Sequence, residues 1–386
     1  MINLKKLITI SYTMKKYIFI LMISLAISGC NGDEIESQTE KPIEDIVPYM
    51  DDSFFIKYCL ENFDINNDAK LSQTEASSIK KIDISENDMI TSIKGIEYFT
   101  NLQSFCAYSC SELIDVDLSN NTKLKVLEDK CFMDCDSLET INLPNGLIEI
   151  GYKAFYCCDL ESITIPDSVT TIGSDAFAYS SLKNIIIPDK VEIIEGGTFY
   201  SCDELEFCHI GNSVKTIGPS AFYECTCLTD INIPDSVETI GESAFYKCTC
   251  LTDITIPDRA ETIGEFAFYE CEQLTDIYIG KNVKFLGESA FARCNYTAIT
   301  IPENVQTIEE DAFETYTLKE VYCRPMTPPE AAFLHHWDAF NNGPVDFDAP
   351  IPSNLSVIYV PYESLSSYIS ARGWKDYSNI IKGYHF

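Results

Sequence analysis

Residues 228–250 read LTDINIPDSVETIGESAFYKCTC, and this unit is one of a series. Its phenylalanine recurs as Phe132, Phe155, Phe177, Phe199, Phe222, Phe245, Phe268, Phe291 and Phe313, at intervals of 22 or 23 residues. A fixed period of that length marks a solenoid, in which each repeat buries its apolar side only against the repeats before and after it. The long faces such an array leaves exposed serve binding more often than catalysis.

Inside the unit the phenylalanine always stands eleven residues after a proline or glycine (Pro144, Pro166, Pro188, Gly211, Pro234, Pro257, Gly280, Pro302). A large residue, Leu138 through Tyr296, stands six before it. All length variation therefore falls between phenylalanine and the next leucine, which reads as an exposed corner. The residues one and three before the proline are apolar, as in Ile163 with Ile165 or Ile254 with Ile256. Alternation of β-branched side chains means a strand, and proline ends it by removing the next amide donor. Successive strands should stack in parallel. Columns of valine (Val169 to Val305), isoleucine (Ile172 to Ile308) and the alanine before each phenylalanine supply further inward positions. Gly173, Gly218, Gly241, Gly264 and Gly287 mark a recurrent turn, expected to hold positive φ.

Seventeen cysteines would ordinarily suggest a disulfide framework. Yet Cys135, Cys158, Cys202, Cys225, Cys248, Cys271 and Cys294 each follow a repeat phenylalanine by three residues, one per rung. Like positions on successive rungs rarely offer disulfide geometry, so a ladder of buried thiols is expected. Cys227 and Cys250 form a shorter second column, and no CxxC pairing points to zinc.

The columns of residues 228–250 closely resemble the BspA-like, or treponemal, class of leucine-rich repeat, over about Leu124 to Val321. The resemblance implies a leucine-rich repeat solenoid: a curved right-handed superhelix with a parallel β-sheet on the concave side and irregular or short helical chain on the convex side. It also implies a surface protein engaged in adhesion and protein binding rather than an enzyme.

Lys15 and Lys16, an apolar run from Tyr17 to Ile27, and then Ile27-Ser28-Gly29-Cys30 read as an export signal, too short in its apolar part to span a membrane. Small residues ending at a cysteine resemble the bacterial lipobox, which makes Cys30 the expected lipidation site, and translation starts at Met1 or Met14. Asp33 and Glu34 resemble the acidic surface-export tag of Bacteroidetes lipoproteins, so outer-membrane anchoring with display at the cell surface is expected. The organisation expected is 1–30 signal peptide, 31–50 flexible tether, 51–81 helical module, 82–325 solenoid and 326–386 C-terminal capping segment. Leu102, Leu113 and Leu124 carry a shorter pattern that resembles ordinary leucine-rich repeats and should form the first rungs. At the far end, a last strand at Val357 to Val360 and a short helix near Leu365 to Ala371 should bring Trp374 over the open core, with the final residues loose.

Within the 51–81 module, Asp64-Ile-Asn-Asn-Asp-Ala-Lys-Leu-Ser-Gln-Thr-Glu75 resembles an EF-hand calcium loop. The resemblance makes Asp64, Asn66, Asp68, Ser72 and Glu75 side-chain ligands and Lys70 a backbone ligand, with Leu71 turned to the core. Ala69 departs from the family's glycine at the sharp turn and is expected to weaken the site. One hand without a partner suggests a structural calcium clamp rather than a switch.

A net charge of −33 argues against nucleic acid or anionic lipid as the partner of the folded body. Residues two and four before each proline should face outward from the strands. In those columns Ile186, Phe207 and His209 place apolar surface where water is expected, and Asp230, Asp253 and Asp276 stack like charges. With Tyr278 they form the candidate ligand face. No HExxH, GxSxG or phosphate loop is present, and His335, His336 and Asp338 are the one other metal-like cluster, read as a polar loop. The function expected is a non-enzymatic surface protein binding a protein ligand, host or matrix; the alternative is a carbohydrate-binding surface module recognising a glycan.

Overall fold

The computed structural model describes residues 42–331 and 354–386. The described repeats belong to one compact unit that begins at Ile43. Cys30 and the export signal, and His335, His336 and Asp338, lie outside the described residues. Among those described, no helix is long and apolar enough to cross a membrane.

The repeats form a parallel β-solenoid of about 12 turns. Each full turn gives three hydrogen-bonded sides. The first carries the expected strands before the proline, such as Asn184–Ile186, Phe207–His209 and Asp230–Asn232, paired in parallel and in register. The second carries two-residue strands at the isoleucine column. Seven of them, from Ile193–Ile194 through Thr216–Ile217 and Thr239–Ile240 to Glu330–Ala331, make one continuous ladder. The third has no regular strand but is bonded all the same: Phe222 N donates to Ala244 O at 2.8 Å and Glu224 N to Tyr246 O at 2.7 Å, and neighbouring turns repeat the pattern. Three bonded sides fix the spacing between turns, so each side chain meets its equivalent one turn away.

The phenylalanines fill the interior between these sides. Phe132 through Phe313 are fully buried, and adjacent rings stack nearly parallel, at 5.0 Å between Phe245 and Phe268 and 5.1 Å between Phe222 and Phe245. Offset stacking of this kind adds roughly 0.5–1.5 kcal/mol per pair beyond burial.

The cysteine column is free thiol throughout, as expected. Its geometry supplies a reason for cysteine. Cys225 Sγ donates to Phe199 O at 3.1 Å, Cys248 to Phe222 O at 3.2 Å and Cys271 to Phe245 O at 3.2 Å, each reaching back to the previous turn. A small apolar side chain with one weak donor fills the space and satisfies a buried carbonyl. Burial pushes the Cys248 thiol well above its ordinary pKa, which keeps it protonated.

The turn glycines depart from expectation. None of Gly173, Gly218, Gly241, Gly264 or Gly287 has positive φ. The left-handed residue sits two positions later, at Asp175, Ser220, Ser243, Phe266 and Ser289, with φ between 51° and 55°. Glycine is required for space instead: a Cβ on Gly241 would lie 2.8 Å from Gly218 C and Pro219 N in the turn below.

At the N-terminal side, the helix Ser53–Phe63 is capped by Asp52, which accepts from Phe54 N and Phe55 N, both at 2.8 Å. The other Asp52 oxygen accepts from Thr91 N at 2.9 Å, tying the helix start to the first turns. Phe55, Cys59 and Phe63 form its buried face. At the C-terminal side, Val357–Pro361 continues the first ladder, and Tyr368 and Trp374 cover the core end. Tyr368 OH donates to Pro325 O at 2.7 Å and Trp374 Nε1 to Pro329 O at 3.0 Å. The last residues are not loose: Ile381–Tyr384 is a further strand, paired in parallel with Val357–Pro361. Its hydrogen bonds to that strand's backbone, rather than any apolar repeat, hold it.

Candidate functional site

Strand alternation turns one side chain of each three-residue strand inward and its two neighbours outward. Cys208 is fully buried between partly buried Phe207 and His209, and Ile254 is buried between exposed Asp253 and Thr255. The outward residues form two columns down the first side. Phe207 lies between Asn184 and Asp230, and His209 between Ile186 and Asn232. Ile186 is 45% exposed. The structure thus brings Ile186, Phe207, His209 and Asp230 onto one patch across three adjacent strands.

Asp253 and Asp276 are paired directly across the next two-stranded sheet, and Tyr278 is paired with Thr255. Asp230 belongs to the neighbouring sheet, so the three carboxylates are distributed over two ladders. Tyr278 is 50% exposed, and its hydroxyl donates to Asp258 Oδ1 at 3.0 Å. Asp258 also holds Lys281 Nζ at 2.7 Å, and that contact lowers its pKa from the ordinary carboxylate value.

Ion pairs between turns recur elsewhere on the surface. Lys215 reaches Glu192 at 2.7 Å, Lys284 reaches Glu261 at 2.8 Å and Arg293 reaches Glu270 at 2.8 Å. Exposed pairs of this type contribute little to stability because solvent screens them.

Two aromatic features escaped the sequence reading. The residue after the phenylalanine is often tyrosine, and Tyr200, Tyr223 and Tyr246 stack outside the core with ring centroids 4.6 Å apart and planes within 2°. Burial pushes the Tyr200 hydroxyl up to about 12. The recurring Phe-Tyr pairs at residues 199–200, 222–223, 245–246 and 268–269 carried that signal. The second feature lies on the outward column itself, past Tyr278: Tyr322 and Tyr359 are register partners and stack at 4.9 Å. The strand of Tyr322 carries Arg324 where the aligning proline would stand, and the columns were read only as far as Pro302, short of Pro361, which is why both tyrosines were missed.

The acidic loop before the repeats lies between the helices Ser53–Phe63 and Gln73–Ser78, and Leu71 is fully buried. Its backbone amides converge on its own side chains. Asp64 accepts from Ala69 N at 2.9 Å, Asn66 Oδ1 from Asp68 N at 2.9 Å, and Asp68 Oδ1 from Lys70 N at 2.9 Å. Ala69 takes φ 63°, the left-handed conformation that the sharp turn demands and that glycine would take more easily. Glu75 accepts from Ile65 N at 3.1 Å and completes a capping box with Ser72. The Ser72 amide bond is the largest influence holding the Glu75 carboxyl below its ordinary pKa. Among the described residues, no three His, Cys, Asp or Glu side chains gather as a metal-holding group.

Comparison with known proteins agrees with the repeat architecture. The model for the BspA type leucine rich repeat region matches in six copies, over residues 36–147, 100–227 and 192–319. Among solved structures, a leucine-rich repeat protein from Bacteroides ovatus shares 23% identity over 80% of this chain and 85% of its own, with TM-score 0.43. A leucine rich repeat protein of T. pallidum shares 30% identity over 36% of this chain and 68% of its own, TM-score 0.34. A leucine rich cell surface protein from Faecalibacterium prausnitzii shares 28% identity over 57% of this chain and 70% of its own, TM-score 0.36. Among curated proteins there is no match.

Proposed function

Since the chain belongs to the family of BspA type leucine rich repeat proteins, we propose that it is a cell-surface interaction protein that captures a protein ligand, host or matrix, on the outward face of its three-residue strands. One observation carries this reading: exposed Ile186 and half-buried Phe207 and His209 occupy a single outward patch, flanked by Asp230, on a sheet whose other outward positions are mostly polar. Apolar side chains held rigidly in water beside a carboxylate offer a partner both burial and a charge to match. Binding, not turnover, is the proposed role, and lipid on Cys30 would hold the protein at the outer membrane with the repeats displayed to the exterior.

The test is a binding screen of the purified full chain against a panel of extracellular matrix proteins and a glycan array, with and without calcium. Saturable binding to a protein supports the reading, whether or not a glycan also binds elsewhere; binding confined to glycans favours the carbohydrate module and overturns it.

A second, structural role is proposed for residues 64–75. Ala69 already adopts the left-handed turn, and Asp64, Asn66 and Asp68 face the loop's interior amides. Asp64, Asn66, Asp68, Ser72 and Glu75, with the Lys70 carbonyl, would hold calcium there, clamping the helical module to the first turns. Calcium should then raise the melting temperature of the wild type relative to chelator, and Asp64→Asn with Asp68→Asn should abolish that difference. An identical melting temperature in calcium and chelator contradicts the role.

A further inference from the structure

At the far end of the outward column, register aligns Thr300, Tyr322 and Tyr359 on three consecutive strands. Tyr359 covers one face of Tyr322, with planes 22° apart. The Tyr384 ring stands edge-on to Tyr322 at 6.2 Å, and on the side away from Tyr359 the register places Thr300, a side chain too small to cover a ring. The space left is a hollow of about 330 Å³ lined by Thr300, Tyr322, Arg324, Tyr384, His385 and Phe386. Tyr322 is pinned in place, its hydroxyl donating to Glu320 at 2.8 Å. The part of the ring that lines the hollow is therefore preorganised as a platform.

Arg324 follows Tyr322 by two residues and shares its outward side. Its guanidinium carbon lies 5.7 Å from the centre of the Phe386 ring. Among the described residues it forms no ion pair, although the chain carries 60 acidic and 27 basic side chains. By contrast Lys215, Lys281, Lys284 and Arg293 each sit on a carboxylate of a neighbouring turn. An aromatic face, an arginine without a carboxylate and a rim of hydroxyl and imidazole groups are arranged around one hollow. Aromatic faces stack on the C–H faces of sugar rings, and a guanidinium pairs bidentately with a carboxylate. A peptide's terminal carboxylate is usually caught by converging backbone amides, whereas the cation here is a side chain standing on a sheet.

We propose that this hollow binds the carboxylate-bearing pyranose of an acidic glycan, with the sugar ring on Tyr322 and its carboxylate on Arg324. This site is separate from the Ile186–Phe207 patch and does not depend on a protein ligand being captured there.

The experiment is saturation-transfer NMR with titration calorimetry on the full chain, using methyl glucuronoside, its methyl ester, methyl glucoside and a tetrapeptide with a free C-terminal carboxylate. The glucuronoside should bind at least tenfold more tightly than the ester or the glucoside. Arg324→Ala should weaken it at least tenfold without changing the melting temperature, and Arg324→Lys should restore part of the loss. Tyr322→Ala should remove saturation transfer to the ring protons. Equal affinity for glucoside and glucuronoside, undiminished binding by Arg324→Ala, tighter binding of the tetrapeptide, or no binding of the glucuronoside overturns the proposal.

Discussion

Gly241→Ala tests whether the turn glycines are there for space. The added Cβ would sit 2.8 Å from Gly218 C, 2.8 Å from Pro219 N and 3.0 Å from Ile217 O, all backbone atoms of the turn below. Backbone cannot rotate away as a side chain can, so the two turns must separate by several tenths of an ångström, an overpacking cost of about 1–3 kcal/mol. The separation also stretches the 2.8 Å bond from Gly241 N to Ile217 O, worth about 0.5–1.5 kcal/mol net. Alanine recovers about 0.4–1 kcal/mol by restricting the unfolded chain. The net destabilisation should be about 1–3 kcal/mol. Because repeats communicate mainly with their neighbours, it should be local. Amide hydrogen exchange should accelerate in the turns around residues 217 and 241 and stay unchanged in distant ones, while urea unfolding reports the total. Gly241→Asn discriminates the two possible reasons for glycine. Asparagine tolerates left-handed backbone, so it would be nearly neutral if φ were the constraint, but here it should cost at least as much as alanine. A loss under about 0.5 kcal/mol for alanine, or rescue by asparagine, refutes the close-approach argument.

The thiol ladder predicts that Cys248→Ala costs about 1–2 kcal/mol, since it leaves the Phe222 carbonyl without its Sγ donor and opens a small void. In the native protein a disulfide reagent should titrate exposed Cys227 promptly and Cys225, Cys248 and Cys271 only on unfolding; ladder thiols that react promptly, or that prove to be disulfides, contradict the packing. Near the C-terminal end, burial pushes the Glu314 carboxyl above its ordinary pKa of 4.5. A raised carboxylate pKa means that folding favours the protonated form, so stability from this group is full below the unfolded pKa and is lost as pH rises through the folded one. Glu314→Gln should therefore stabilise the protein at pH 7, by no more than about 0.5 kcal/mol after solvent screening, and give no gain at pH 4, read from denaturant midpoints at the two pH values.

Much of the fold was legible because one mutual constraint governed every turn. A side chain that must meet its own equivalent one turn away leaves a column in the sequence, and the phenylalanine, leucine, valine and main cysteine columns proved to be core, whereas the short column of Cys227 and Cys250 did not. The outward columns were readable for the same reason: once Ile165 and Ile187 point inward, Thr164 and Ile186 must point out. What stayed hidden was set by backbone rather than by side-chain type. Nothing in the letter G distinguishes a glycine chosen for left-handed φ from one chosen for closeness, so Gly218 and Gly241 were assigned the wrong reason. The two-residue strands at Thr216–Ile217 and Thr239–Ile240 are too short to show alternation, yet they join the longest ladder among the described residues. The strand Ile381–Tyr384 has no repeat signature, because it is held through backbone pairing to Val357–Pro361. Tyr322 and Arg324 lay beyond Pro302, where the aligned series of repeats ended.

The central claim, that the outward face of the first ladder captures a protein, is tested most directly by binding of the full chain with Phe207→Ala and Asp253→Lys combined to the matrix protein selected by the wild type. Both side chains stand on the outward side, so the melting temperature should not change, while affinity should fall at least tenfold. Unchanged affinity with an unchanged melting temperature would contradict the account.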